Sequence, residues 1–257
     1  MKFLFFGDSF TAGTELLDYK YISEYPEPKS FDDIRSSDMI EWRDTHKPLH
    51  QIKAKQELDI ILEQQKSKTY AYKLATSVGV ASNNYAVQGS GLQKLRYTLV
   101  KQISKESESD LTVFIQPPTP ERWMEYATDH WRDFAVTDIL LGAEKDYFKY
   151  KISNNTDYSW YCHWILDLQA IYDFCSNHKN IKKFYFIDSG NFNYVASNKT
   201  KFQEFTDTYN SLISKIQNDI FTFPHLASPQ DPNYLPWGHV KEEIHEKLAI
   251  EIQEKIC

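Results

Sequence analysis

Two hydrophobic periods alternate along this chain, and the switches between them mark its elements. Residues 3–6 form an unbroken apolar run, Phe-Leu-Phe-Phe, and residues 111–116 read Leu-Thr-Val-Phe-Ile-Gln. Short runs this apolar and β-rich match strands buried on both faces of a parallel sheet. Shorter runs at 184–187 and 220–223 extend the set, as does a short strand within 83–91 that runs into a glycine turn. Between them the period lengthens. Tyr70, Tyr72, Leu74, Ala75 and Val78 recur at helical spacing and stop at Gly79, a residue suited to a helix C-terminus. Helices are expected over 92–103, 160–175, 202–216 and 240–256, and 57–66 is polar and helix-favouring. Within 160–175 the face is made by Trp164, Ile165, Leu168, Ile171, Tyr172 and Cys175, and His245 is expected on the solvated side of the last helix. Strands alternating with helices indicate βαβ units, hence an α/β fold with a parallel sheet between helix layers.

Segment 15–48, rich in charge, tyrosine and proline, keeps neither period. It reads as a long excursion with short helical pieces, either a lid over the neighbouring site or a surface loop. No repeat, low-complexity tract or linker composition interrupts the rest. One domain over 1–257, with an insertion around 15–66, is the simplest account.

Composition narrows the partners more than the fold. The net charge is −7, so no general attraction draws the chain to nucleic acid or an anionic membrane. Cys162, Cys175 and Cys257 are three widely spaced thiols, which suit a reducing cytosol rather than a disulfide framework. No Cys-x-x-Cys and no paired histidines on a helical face suggest a metal site. The apolar run after Lys2 is too short for a signal sequence and is broken by Asp8, and no run is long enough to span a membrane.

Candidate chemistry starts where the first run ends, in Gly7-Asp8-Ser9-Phe10-Thr11-Ala12-Gly13. A strand that delivers a serine at its carboxyl end places the hydroxyl where open α/β sheets bind ligands. The plainer alternative is capping, since Asp and Ser both accept from the orphan N–H groups of a first helical turn. An acyl-transfer site also needs a base and oxyanion donors. Gly89, after a short strand, lets backbone N–H groups approach a ligand. Gln116 ends the next strand and carries an amide. Of eight histidines, His239 sits in a loop just before the last helix, with Asp231 upstream as a candidate orienter.

These residues resemble the SGNH or GDSL hydrolases. Gly7-Asp8-Ser9 is similar to that family's first block, and Asn84-Tyr85-Ala86-Val87-Gln88-Gly89 to its second. The resemblance implies a three-layer α/β/α sandwich with a flavodoxin-like, mainly parallel sheet. It also implies a serine esterase or acyl-transfer hydrolase, with Ser9 as nucleophile, Gly89 at the oxyanion, and no metal or organic cofactor. The substrate class it suggests is a small-molecule or carbohydrate acyl ester. Two blocks depart from the pattern. The third reads Gln116-Pro117-Pro118-Thr119-Pro120-Glu121-Arg122-Trp123, similar to a divergent subgroup familiar among phage-encoded and marine bacterial members, which would be cytosolic or virion-associated. Gln116, Asp8 and Arg122 are then expected beside the ligand. The last block lacks Asp-x-x-His, and Pro236-Trp237-Gly238-His239 resembles only its second element. Either His239 replaces the missing base, or the chain is a catalytically degenerate binding or structural module.

Overall fold

The structure is a computed structural model. It describes residues 1–13, 16–22, 25–26, 36–46, 55–87, 90–107, 110–120, 122–127, 130–135, 157–198, 203–223 and 240–257. In chain order the strands are β1 (Lys2–Phe6), β2 (Ala81–Asn84), β3 (Leu111–Ile115), β4 (Arg122–Ala127), β5 (His130–Ala135), β6 (Ile181–Asp188) and β7 (Ile220–Thr222). The helices are α1 (Ser9–Ala12), α2 (Ser37–Thr45), α3 (Lys55–Lys66), α4 (Tyr70–Val78), α5 (Leu92–Ile103), α6 (Asp157–Asn177), α7 (Asn191–Asn198), α8 (Gln203–Ile216) and α9 (Glu242–Ile256).

Five strands form one sheet in the order β2-β1-β3-β6-β7, and every adjacent pair is parallel. This flavodoxin-like order puts its switch point between β1 and β3, where such sheets bind ligands beyond the strand ends. The strands alternate faces as the pleat requires. Leu4, Phe6, Val113, Ile115 and Phe186 face a core completed by α5, α6 and α8, through Leu95, Leu99, Trp164, Leu168 and Leu212. Phe3, Phe5, Phe114, Ile187 and Phe221 face the other way, onto Tyr70 and Leu74 of α4 and Ile244, Leu248 and Ile252 of α9. The result is three layers, helix–sheet–helix. Both faces of β1 and β3 are covered, which is why their sequences are nearly continuous apolar runs.

Charge ties hold each helix layer together. Asp167 on α6 meets Arg96 on α5 at 2.6 Å. Glu242, at the start of α9, pairs with Lys68 and, at 3.0 Å, with Lys73 of α4. Burial alone would raise the Glu242 pKa, but the two lysines outweigh it and hold the carboxyl below its usual range.

Two elements were not read in the sequence, and one expectation changes. The chain beyond Pro120 forms an antiparallel hairpin, β4–β5, which the sequence reading did not anticipate. Its register sets Trp123 opposite Phe134 and Tyr126 opposite Trp131. A short helix, α7, follows β6. His245 is not solvated: it is 2% exposed. With Leu248, Ala249 and Ile252 it completes an i, i+3, i+4, i+7 stripe toward the core. Its ring lies parallel to that of Tyr70, and its Nδ1 accepts the Tyr70 backbone N–H at 3.3 Å. That bond satisfies an orphan donor at the start of α4.

Within the excursion, Leu17, Ile22 and Ile61 form a small third cluster with Tyr25 and Trp42 packed against it.

Candidate active site

The chain leaves β1 at Gly7 and turns at once into the one-turn helix α1. Gly7 is required by space: a Cβ there would lie 2.5 Å from Thr11 Oγ1 and 2.9 Å from Gln116 Oε1. Asp8 caps the turn, its Oδ1 accepting from Phe10 N at 3.1 Å and its carbonyl accepting from Ala12 N at 2.9 Å. Gly13 closes the turn in the left-handed region, at φ 75°. Ser9 is therefore the first residue of a tight strand-to-helix elbow, with its backbone N–H ahead of the helical ladder. It is 5% exposed, and among the described residues its hydroxyl has no hydrogen-bond partner.

Other strand ends converge on this elbow. The β1–β2 pairing runs past β2, with Tyr85 N donating to Phe5 O at 2.8 Å and Val87 N to Gly7 O at 3.0 Å. Ser90 Oγ also donates to Gly7 O, at 3.5 Å. Gly89 lies outside the described residues, but Val87 and Ser90 on either side of it both reach the carbonyl of Gly7. Asn84 joins the turn by donating from Nδ2 to Thr11 O at 2.8 Å.

Gln116 sits beside Gly7, its N–H donating to Phe6 O at 2.8 Å, and is fully buried. Its Oε1 accepts from Thr11 Oγ1 at 2.9 Å, Thr11 N at 3.2 Å and Asp8 N at 3.4 Å. Its Nε2 donates to Ser189 Oγ at 2.9 Å. The amide thus clamps the elbow to the end of β6. Since the Thr11 hydroxyl proton goes to Gln116, the Tyr70 hydroxyl, 3.0 Å away, donates to Thr11 Oγ1. Burial pushes the Tyr70 phenol well above its ordinary pKa, so it keeps that proton.

The end of β6 was singled out in sequence only as a strand end, yet it is a built polar corner. Asp188 is 3% exposed and accepts from Gly190 N at 2.8 Å and Phe192 N at 3.2 Å. Burial raises its pKa, and backbone donors offset only part of the rise. Asn191 donates to Pro117 O at 2.7 Å and to Ser189 Oγ at 3.0 Å. The missed signal was repetition: Asp188-Ser189-Gly190 follows its apolar run much as Gly7-Asp8-Ser9 follows the first.

His239 and Asp231 lie outside the described residues, within 224–239, as does the side chain of Arg122, whose backbone starts β4. The residues bounding 224–239 are placed. Phe223 and Val240 are both fully buried in the cluster that includes Phe5 and Tyr70, and the ring of Phe10, next to Ser9, lies 5.6 Å from that of Phe223. Among the described residues no group of three or more His, Cys, Asp or Glu could hold a metal ion, and no helix is long and apolar enough to cross a membrane.

No family model matches the chain, and no curated protein does. Solved structures do. A carbohydrate esterase, whose active site is described as displaying divergent catalytic and non-catalytic binding functions, aligns over 99% of this chain and 64% of its own, with a TM-score of 0.50 at 11% identity. A family two carbohydrate esterase from Clostridium thermocellum, solved with cellohexaose, aligns over 99% of this chain and 63% of its own, with a TM-score of 0.49 at 14% identity. A lipolytic protein of the G-D-S-L family from Veillonella parvula aligns over 100% and 98%, with a TM-score of 0.45 at 13% identity. The chain spans just under two thirds of the length of the two carbohydrate esterases. At this identity the likeness is one of fold alone: an α/β architecture shared with the first of these esterases, in keeping with the five-stranded all-parallel sheet.

Proposed function

We propose that this protein is a serine hydrolase acting on acyl esters, with O-acylated carbohydrates as the substrate class. Ser9 attacks the carbonyl carbon. His239 takes the hydroxyl proton and returns it to the leaving alcohol, and Asp231 orients the imidazole. The backbone N–H groups of Ser9 and Gly89 hold the oxyanion. Gln116 holds the elbow from beneath, through the bonds to Asp8 and Thr11, and Arg122 stands at the ligand edge on the hairpin. The excursion over 15–66 covers the same edge as a lid. Such a mechanism calls on no metal or organic cofactor. Cys162 and Cys175 are buried and held in no disulfide among the described residues, which suits a reducing compartment.

One observation carries the reading: a serine hydroxyl with no partner among the described residues, in an elbow too tight for a Cβ at Gly7, at the sheet's switch point. The contact between Phe10 and Phe223 supports the base, because it tethers one end of the segment carrying His239 next to Ser9. A second reading, a non-catalytic binding module on the same fold, draws on the absent Asp-x-x-His block.

Labelling with a fluorophosphonate probe separates the two. The wild type is expected to label and Ser9→Ala to stay blank. His239→Ala should label at least about a hundredfold more slowly, the lower end of what a positioned base contributes. A folded wild type that does not label overturns the hydrolase reading and favours the binding module.

A further inference from the structure

The polar corner at the end of β6 has hydrogen bonds whose directions are all determined. Gln116 presents its amide oxygen to two backbone N–H groups and the Thr11 hydroxyl, so its NH2 end faces Ser189 Oγ. Asn191 lies 2.7 Å from the carbonyl of Pro117, which only accepts, so the atom it also presents to Ser189 is its NH2 nitrogen. A serine hydroxyl has two lone pairs and one proton. The two amides take both lone pairs. The proton remains, and among the described residues it meets no acceptor. Gln116 and Asn191 are buried, while Ser189, at the carboxyl end of β6, is half-buried. An arrangement that fills the accepting side of a hydroxyl from within the protein turns it into an outward donor.

Ser189 is not placed to touch the reacting carbonyl. β3 separates β6 from β1, and two strand spacings amount to about 10 Å. Resting on the ester-hydrolase reading above, we propose that Ser189 is a substrate-binding residue. Its hydroxyl donates to an oxygen of the bound ester remote from the scissile carbonyl, and Gln116 and Asn191 are its positioning residues. The substrate class follows: an ester whose acyl or alcohol portion carries oxygen acceptors some way from the ester bond, as an acylated sugar does and an aryl acetate does not.

The test compares two esters on the full chain. Glucose pentaacetate has distal acceptor oxygens; 1-naphthyl acetate has none. Ser189→Ala removes the donor. Ser189→Cys keeps the shape of the side chain but leaves only a weak S–H donor. Both variants should raise KM for glucose pentaacetate about tenfold, the worth of one lost hydrogen bond, with kcat little changed. KM for 1-naphthyl acetate should stay put, and Ser189→Thr, which keeps the hydroxyl, should behave as wild type. An unchanged KM for the sugar ester in Ser189→Ala, or an equal rise for both esters, overturns the proposal and leaves Ser189 a structural residue while the hydrolase reading stands. If Ser189→Ala does not fold, Ser189→Cys and Ser189→Thr decide the same question. If the folded wild type cleaves neither ester and Ser9 does not label, the hydrolase reading itself falls and takes this assignment with it.

Discussion

Gly13 and Gly79 offer a controlled comparison, because they share a backbone and differ in what surrounds it. Both end helices in the left-handed region, Gly13 at φ 75°, ψ 32° and Gly79 at φ 73°, ψ 35°. Alanine at either site costs about 1 kcal/mol for that conformation alone. At Gly79 nothing else is added, since a Cβ there has no atom within 4 Å. At Gly13 the Cβ would lie 2.5 Å from Thr69 Cγ2 and 3.1 Å from Leu16 Cδ1. Thr69 cannot simply step aside. It is fully buried and is the N-cap of α4, accepting from Tyr72 N. Displacing it adds about 1 kcal/mol for the cap and roughly 1 to 3 kcal/mol for overpacking. Urea unfolding should therefore place Gly13→Ala roughly 2 to 4 kcal/mol below Gly79→Ala at equal m-values. Ser9 labelling should slow in Gly13→Ala alone, because α1 ends there. Equal destabilisation by the two substitutions would refute the argument, showing that the contact between Gly13 and Thr69 is not tight in the folded protein.

Gly7→Ala drives a Cβ into both Thr11 and Gln116. It should cost about 1 to 3 kcal/mol in unfolding experiments and abolish Ser9 labelling in the fraction that stays folded. Glu242→Gln tests the tie between α4 and α9. The Glu242 pKa is lowered in the fold, so its contribution is present above the unfolded pKa and lost as pH falls through the folded one. Wild type should exceed the variant modestly at pH 7, and the two melting temperatures should merge once pH has fallen through the lowered pKa. Asp188→Asn has the opposite sign. The Asp188 pKa is raised, so stability is full below the unfolded pKa and declines as pH rises through the folded one. The stability of the Asn variant relative to wild type should therefore improve between pH 3 and pH 7, and a constant difference across that range would count against a buried, costly carboxylate.

What was legible in sequence followed from burial on two sides. β1 and β3 announce themselves because both faces meet helices, and Ser9 was readable because glycine and small residues follow such a run. The hairpin β4–β5 was not, although Trp123, Tyr126, Trp131 and Phe134 carry its pattern; the prolines at 117, 118 and 120 made the region read as irregular. Gln116 was found at its sheet edge, but an amide in sequence does not say which way it points. Only the Asp8, Thr11 and Ser189 partners reveal it as a clamp. His245 misled for a different reason: its polarity hid a place in an apolar stripe, where a stacked ring and one backbone N–H satisfy it.

The position of β1 in the sheet also constrains how the chain can be made. Of the five strands of the sheet it is the first to be synthesised, yet its neighbours are β2 and β3, whose pairing begins at Ala81 and Leu111. The phenylalanine-rich start must therefore stay unpaired through the synthesis of the whole excursion, and the serine elbow cannot close until Gln116 has emerged. Parallel pairings this distant in sequence form slowly and leave apolar segments open to aggregation. Yield on expression should therefore depend on chaperone supply and temperature, with Phe3–Phe6 as the vulnerable segment.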